Sequence, residues 1–396
     1  MVRSVCFILC LEASGTLQSC PRGLLLCDYS VPSGFQVPFL PDARGRSCLP
    51  FAAMVATRWG ICSAGKIAHD FLAALKTLPP EDHQVVAIAS RDLSRAQEYA
   101  KIHGITRAYG SYAELAEDPD VEIVHIGVLN PYHLSSSLLF IQAGKNMLCE
   151  KPLGMNAAEV KAMVNAAREK GVFFMEGFWS CFFPAAERIR SLLNQGSIGE
   201  VMVLHAEFGS PQLSIPRCVK KELGGGGLLD IGCYCIQFAC MVFNGEKPES
   251  ILASGFLHET GIDKTVSIIL NYSGHRQAVL TCTMTAKMPN RASINGTKGM
   301  IEVPSTFWCP VELVVNGERE TFPLPPSPLE LHFSNSIGLR YEAEHVRQCL
   351  LKGLKESPVV TQPYSTLIHS ILDEVRRQVG VSYTQDDMKH IPRSFV

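Results

Sequence analysis

A tight turn near the start of the organised part of this chain limits what can be built on it. Arg58-Trp59-Gly60-Ile61-Cys62-Ser63 reads as a strand and Ile67 to Leu78 as a helix. The turn between them, Ser63-Ala64-Gly65-Lys66-Ile67-Ala68, is a degraded form of Gly-x-Gly-x-x-Gly/Ala. Gly65 lets backbone come close to a pyrophosphate at the helix start, and Ala68 lets that helix pack close to a sheet. Ser63 replaces the first glycine of the pattern and can cap the helix instead. Ser63, Gly65, Lys66 and Ile67 are therefore candidate dinucleotide contacts, and an ordinary strand-to-helix turn is the competing reading.

The alternation continues downstream. Gln84 to Ala89 is a buried-strand run that ends at Ser90-Arg91-Asp92. Dinucleotide enzymes that use NAD often place an acid at this strand end, to hold the ribose 2′-hydroxyl. A small polar residue followed by a guanidinium suits a 2′-phosphate, so Ser90 and Arg91 favour NADP. The alternative is that Arg91 closes a loop beside Asp92. Leu93 to His103 reads as a helix, Tyr112 to Glu117 as a short helix, and Val121 to Gly127 as a strand. Asn130-Pro131-Tyr132-His133 turns the chain into another helix, where His133 either contacts cofactor or caps the helix. Asn146 to Cys149 is the next strand and delivers Glu150-Lys151-Pro152 at its carboxyl end. Strands alternating with helices make a doubly wound parallel sheet, and such sheets bind ligands beyond the carboxyl ends of their strands. Asn130, His133, Glu150 and Lys151 thus belong to the cofactor side.

Past residue 178 the pattern changes. Trp179 can wall a site or fill core. A helix over Ala185 to Gln195 leads into seven strand-like segments: 201–208, 250–256, 265–272, 277–285, 292–296, 300–303 and 311–315. Few helices separate them, so this half is a mainly antiparallel, open-faced sheet in an α+β domain. Four glycines, Gly224 to Gly227, precede Leu228-Leu229-Asp230-Ile231-Gly232-Cys233-Tyr234 and read as a mobile entry to a helix. On that helix Asp230 and Tyr234 are four apart and share a face. A carboxylate and a phenol facing Lys151 form an acid–base unit; the plain alternative is an acid near a helix start and a half-buried tyrosine. The boundaries expected are 1–53, 54–178 for the nucleotide domain and 179–396 for the sheet domain.

Composition narrows the function. The formal charge is −2, which argues against a nucleic-acid surface and for a small-molecule protein. No apolar run approaches the ~20 residues that span a bilayer, so no membrane partner is expected. The fifteen cysteines are scattered, so neither a metal site nor a disulfide framework is read. Cytoplasmic placement follows. The apolar stretch Val5 to Leu11, with Arg3 before it and Ala13-Ser14-Gly15 after it, is the one feature favouring secretion. Residues 1–53 read as a disordered extension, and Met54 could start a shorter product.

Several strings carry a family resemblance: Arg58-Trp59-Gly60-Ile61, Ala89-Ser90-Arg91-Asp92-Leu93-Ser94-Arg95-Ala96, Cys149-Glu150-Lys151-Pro152, Phe182-Phe183-Pro184, Leu228 to Tyr234 and Gly296-Thr297-Lys298-Gly299. From about Met54 to the C-terminal region the chain resembles the Gfo/Idh/MocA oxidoreductases, the family of glucose–fructose oxidoreductase and inositol dehydrogenase. Within that family it looks most like the dihydrodiol and D-xylose 1-dehydrogenase branch. The resemblance implies a Rossmann domain, an open-faced sheet that often mediates a homodimer, and Tyr234 as proton donor or acceptor assisted by Lys151 and Asp230. It also implies hydride transfer between NADP and a secondary alcohol of a cyclic diol or pyranose sugar. Cys181 departs from the usual Trp-x-Arg-Phe-Phe-Pro, removing a cation near the site wall. Residues 210–213 and 220–222 differ from the expected substrate loop. These departures motivate the alternative of a catalytically weakened NADP(H) sensor.

Overall fold

The computed structural model describes residues 56–387; the extension expected over 1–53, with its apolar segment, lies outside the described residues. β1 (Thr57–Cys62) is buried along almost its whole length, as a central strand covered on both faces must be. The strand-to-helix turn leads into α1 (Lys66–Leu75), and the alternation runs on through β2 (His83–Ala89), α2 (Leu93–His103), β3 (Arg107–Tyr109), α3 (Tyr112–Glu117), β4 (Ile123–Ile126), α4 (His133–Gln142), β5 (Asn146–Glu150), α5 (Ala157–Lys170) and β6 (Phe174–Gly177). The six strands are all parallel and lie in the order β3-β2-β1-β4-β5-β6. The chain reverses its direction of winding between β1 and β4, so the ligand crevice of such a sheet opens there. β3 escapes a sequence reading because three residues at a sheet edge carry no periodicity.

The second sheet has eight strands. α6 (Pro184–Asn194) leads to β7 (Val201–Gly209), the short α7 (Pro216–Val219) and α8 (Cys233–Val242). Then come β8 (Ser250–Leu257), β9 (Asp263–Tyr272), β10 (Arg276–Thr283), β11 (Ala292–Gly296), β12 (Met300–Val303), β13 (Glu312–Val315) and β14 (Glu318–Thr321). Their order is β14-β13-β12-β11-β7-β10-β9-β8, antiparallel throughout except for the β7–β10 pair. Alternation decides its faces. Leu204, Ala206 and Phe208 on β7 and Ala278, Leu280 and Cys282 on β10 are buried, while His205 between them is exposed. The inner face packs on α8 and on α10 (Gln362–Val379), and among the described residues no helix covers the outer face.

Two long C-terminal helices went unread from sequence. α9 (Leu339–Leu351) buries Leu339, Ala343 and Val346, and packs against α1 and the turn at Trp179–Phe182. α10 buries Ile368, Ile371, Leu372 and Val375 and packs against α5, α8 and β8. Both show the helical spacing of apolar residues plainly. The segment 221–242 is long and apolar enough to cross a membrane, yet its most apolar 18-residue window is buried in the fold, where α8 serves as a core helix.

Candidate active site

The turn after β1 is shaped to receive an anion. Ser63 has a φ of 97°, the left-handed region that favours glycine, at the position where the pattern has its first glycine. Gly65 precedes α1, which has no side-chain cap and no acid in its first turn, so its leading amides have no partner from a capping side chain. A Cβ on Gly65 would meet only Ser63 Oγ at 3.6 Å and the Gly127 carbonyl at 3.8 Å. The fold itself therefore leaves room at this position, and what a side chain would obstruct is a ligand against the backbone. Lys66 is exposed and Ile67 half-buried beside the end of β4.

At the end of β2, Ser90 is buried and Arg91 is exposed. Asp92 is not the partner of Arg91: its carboxylate caps α2 through Ser94 N at 2.9 Å and Ser94 Oγ at 2.7 Å. The Arg91 guanidinium lies 5.4 Å from the centre of the Tyr132 ring. One turn on, Arg95 Nε donates to the Ala64 carbonyl at 2.8 Å, which brings a second guanidinium to the turn after β1. These residues fit a phosphorylated adenosine half in charge and in exposure.

His133 does not face a ligand. Its buried ring lies between two main-chain carbonyls, Nδ1 at 2.8 Å from Pro152 O and Nε2 at 3.1 Å from Val128 O. It ties the loop after β4 to the loop after β5. Asn130 Nδ2 donates to the Gly224 carbonyl at 3.3 Å, joining that loop to the glycine run. Glu150 is buried and accepts from His125 Nε2 at 3.2 Å.

The glycine run is pinned, contrary to the mobile entry expected. Gly224 to Gly227 are buried, and the Gly225 carbonyl accepts from Tyr383 Oη at 2.6 Å. Leu228 N donates to Asp263 Oδ2 at 2.5 Å, and Gly226 N to the Cys218 carbonyl at 3.0 Å. Backbone threads so close to Cys218, Asp263 and Tyr383 that a Cβ at Gly225 or Gly226 would approach them within 2.5–2.8 Å. A π-helical turn, Leu228–Gly232, follows and runs into α8, so Asp230 and Tyr234 are joined by a wider turn than the α-helical one expected.

The turn still brings the three expected groups together. Lys151 Nζ donates to the main-chain carbonyl of Asp230 at 2.8 Å, lies 4.0 Å from Asp230 Oδ1, and stands 4.7 Å from the centre of the Tyr234 ring. Burial favours neutral Lys151, but Tyr234, Cys233, Asp230 and Glu150 around it hold its proton and raise its pKa. Burial opposes ionisation of Asp230 as well, yet Lys151 and Arg217 keep its pKa below the usual carboxylate range. Burial pushes the Tyr234 phenol up, and Lys151 opposes that push without overcoming it. Trp179 is buried and its indole Nε1 donates to Tyr234 Oη at 2.8 Å, leaving the phenol proton free to point elsewhere.

Two neighbours were missed. Arg217 on α7 donates to Asp230 Oδ1 at 3.0 Å, and no motif around it marked it. Trp308 stacks on Phe208 at 3.6 Å and sits 6.5 Å from the Tyr234 ring, from a loop without pattern. Cys181 is buried behind Trp179, with its thiol accepting from Gln237 Nε2 at 3.0 Å. A guanidinium does reach this place: Arg190 Nη1 donates to the Cys181 carbonyl at 2.8 Å.

Comparison with known proteins identifies relatives over most of the chain. Residues 57–178 match the model of the oxidoreductase family with an NAD-binding Rossmann fold, and residues 186–302 match the GFO/IDH/MocA C-terminal domain. The trans-1,2-dihydrobenzene-1,2-diol dehydrogenase of Xenopus laevis is 57% identical over 329 residues, which are 83% of this chain and 100% of that protein. The human protein of the same name is 52% identical over 332 residues, 84% of this chain and 99% of its own. Among solved structures, a 3-ketoreductase from Actinomadura kijaniata in complex with NADP and TDP-benzene superposes with a TM-score of 0.69 at 27% identity, covering 82% of this chain and 98% of that one. An aldose-aldose oxidoreductase from Caulobacter crescentus, at 21% identity and a TM-score of 0.71 over 82% of this chain and 98% of its own, shares the fold.

Proposed function

Because the chain belongs to the GFO/IDH/MocA oxidoreductase family, we propose that it is an NADP-dependent dehydrogenase acting on a secondary alcohol of a cyclic diol or pyranose, with trans-dihydrodiols and D-xylose as the substrates to try first. The observation that carries the reading is the convergence of Lys151, Asp230 and Tyr234 beyond the carboxyl end of β5, the same edge of the sheet on which the uncapped start of α1 lies. The curated relatives supply the substrate class, and Ser90, Arg91 and Arg95 supply the preference for a 2′-phosphate.

NADP would supply the hydride acceptor for oxidation at the carbinol carbon. Gly65 and the first amides of α1 would hold its pyrophosphate, and Arg91 with Arg95 its 2′-phosphate. Tyr234 exchanges the proton of the substrate oxygen: its phenol accepts from Trp179, so its own O–H is free for that oxygen. Lys151 stays charged and offsets negative charge that develops on the phenol or the substrate oxygen. Asp230, held by Arg217, fixes Lys151 through its main-chain carbonyl and keeps a carboxylate beside it. Phe208 and Trp308 give the ring of a cyclic substrate a flat apolar wall.

Cys181, which motivated a non-catalytic sensor, takes no group out of this arrangement, since its thiol faces Gln237. The protein works as a homodimer through the bare outer face of its second sheet. Leu252 and Phe256 stand 56% and 70% exposed on β8, and a groove of about 560 Å³ lined by His205, Glu207, Thr281 and Arg291 lies on the same face.

The test is NADPH formation at 340 nm with D-xylose, D-glucose or trans-benzene dihydrodiol, repeated with NAD. Turnover selective for NADP, with selectivity lost in Arg91→Ala, supports the assignment. NADPH binding with no turnover on any of the three would replace it with the sensor.

A further inference from the structure

Three histidines that are far apart in sequence meet beside α1. His69 and Asp70 lie in its second turn, His103 ends α2, and His332 belongs to the turn that precedes α9. Asp70 is fully buried on a helix face where an apolar residue would be ordinary, and it is fully used there. Its carboxylate accepts from His332 N at 2.9 and 3.1 Å, from Phe333 N at 2.9 Å and from Ser336 Oγ at 2.5 Å. The aspartate therefore fixes the turn that carries His332.

The protonation of His69 follows from its neighbours. Its Nε2 lies 2.9 Å from the Glu330 carbonyl, which can only accept, so Nε2 carries the proton and Nδ1 a lone pair. A histidine that ligates a metal is oriented in the same way, by a hydrogen bond from its other ring nitrogen to a carbonyl. That lone pair points at His103 Nε2, 3.1 Å away. The other nitrogen of His103, Nδ1, is buried without a partner. The His332 ring centre stands 5.0 Å from that of His69, and one ligand atom each from His69, Asp70 and His332 fall within 4.8 Å of one another. Nitrogens bound to one tetrahedral zinc at about 2.1 Å are about 3.4 Å apart, close to the separation of the first pair. His332 is exposed and offers the way in.

We propose that His69, His103 and His332, braced by Asp70, bind one divalent transition-metal cation of the zinc class. Imidazole nitrogens with a nearby carboxylate suit zinc over magnesium or calcium, which prefer all-oxygen shells. The cation would tie α1, α2 and the turn before α9 together, so its effect is on stability and not on the chemistry at Tyr234. The inference rests on these residues alone and does not depend on the substrate or cofactor assigned above.

Calorimetric titration of the full chain with zinc chloride, after treatment with EDTA and dialysis, is the experiment. One equivalent binding below about 10 μM, weakened at least tenfold in His332→Ala and in His69→Gln, is expected. Excess zinc should also raise the melting temperature of the parent and leave that of His332→Ala unmoved. His332 is exposed, so its replacement should leave folding and NADPH binding intact. All variants keep every cysteine, so zinc held by thiols would bind parent and variants alike. Binding unchanged in both variants, or no saturable binding by the parent, would overturn the proposal and leave His69 and His103 as a hydrogen-bonded pair sharing one proton.

Discussion

The Lys151 ammonium lies 4.7 Å from the centre of the Tyr234 ring and spends its hydrogen bond on the main-chain carbonyl of Asp230. It attends the phenol through space over the ring, while Trp179 holds the phenol oxygen. Positioning and charge are thus divided between two residues, and they separate in kinetics. Tyr234→Phe should lower kcat by at least about 10²-fold with NADPH affinity nearly unchanged, because only the proton-exchanging oxygen is lost. Lys151→Met should be at least as damaging. A Lys151→Met enzyme with near-parental kcat would reduce the Glu-Lys-Pro string to a structural role.

The direction of the Tyr234 shift makes a pH prediction. Burial raises this pKa above that of free tyrosine, so the neutral phenol is the resting form at neutral pH. A neutral phenol is ready to donate in carbonyl reduction. Alcohol oxidation needs the same group deprotonated, so its kcat should climb with pH through the neutral range into the alkaline, while reduction stays flat over that range. Oxidation independent of pH between about 7 and 10 would take the proton exchange away from Tyr234.

Arg217 is placed to test the role of Asp230. Its guanidinium is 3.0 Å from Asp230 Oδ1, and with Lys151 it holds that carboxylate ionised against its burial. Removing it in Arg217→Met leaves a buried acid with one cation in place of two, so the Asp230 pKa should rise and the carboxylate protonate at a higher pH. The expected result is a kcat/KM that falls off at a higher pH on its acid limb, with the cofactor constant unmoved. An acid limb identical to the parent's would make Arg217 a surface residue of the substrate loop.

What was legible in the sequence follows the strength of local pattern. The parallel sheet was readable because buried strands such as Ile123–Ile126 and Asn146–Glu150 alternate with turns carrying Gly65, Asn130 and Pro152. Lys151, Asp230 and Tyr234 were readable because two motifs supply them. The π turn at Leu228–Gly232 was not, because it follows from how Gly224 to Gly227 are held by Asp263 and Tyr383, both remote in sequence. Nor were Arg217, on the four-residue helix α7, and Trp308, on a loop, because the paths that bring both to the site depend on the tertiary fold. His133 was open between contacting cofactor and capping the helix, and the fold buries its ring between the carbonyls of Pro152 and Val128, which no local pattern announces.

Glu159 carries a prediction about stability. It sits in the first turn of α5, accepts from Met155 N at 2.8 Å, and donates its own N–H to the Asn156 side chain at 2.9 Å. Burial lifts its carboxyl from 4.5 to about 7, against the pull of the Met155 amide. The folded protein therefore holds this proton more tightly than the unfolded chain does. The resulting stability is full below pH 4.5 and is lost as pH rises through about 7, a change of about 3 kcal/mol for one group. Asp263, buried and raised to about 6, acts in the same direction between pH 4 and 6. Glu159→Gln keeps an acceptor for Met155 N and removes the charge, so the decline in unfolding free energy from pH 5 to pH 8 should shrink, with the part due to Asp263 remaining. Urea unfolding across that range reads it directly, and parallel curves for parent and variant would mean that Glu159 ionises in the fold as easily as in water.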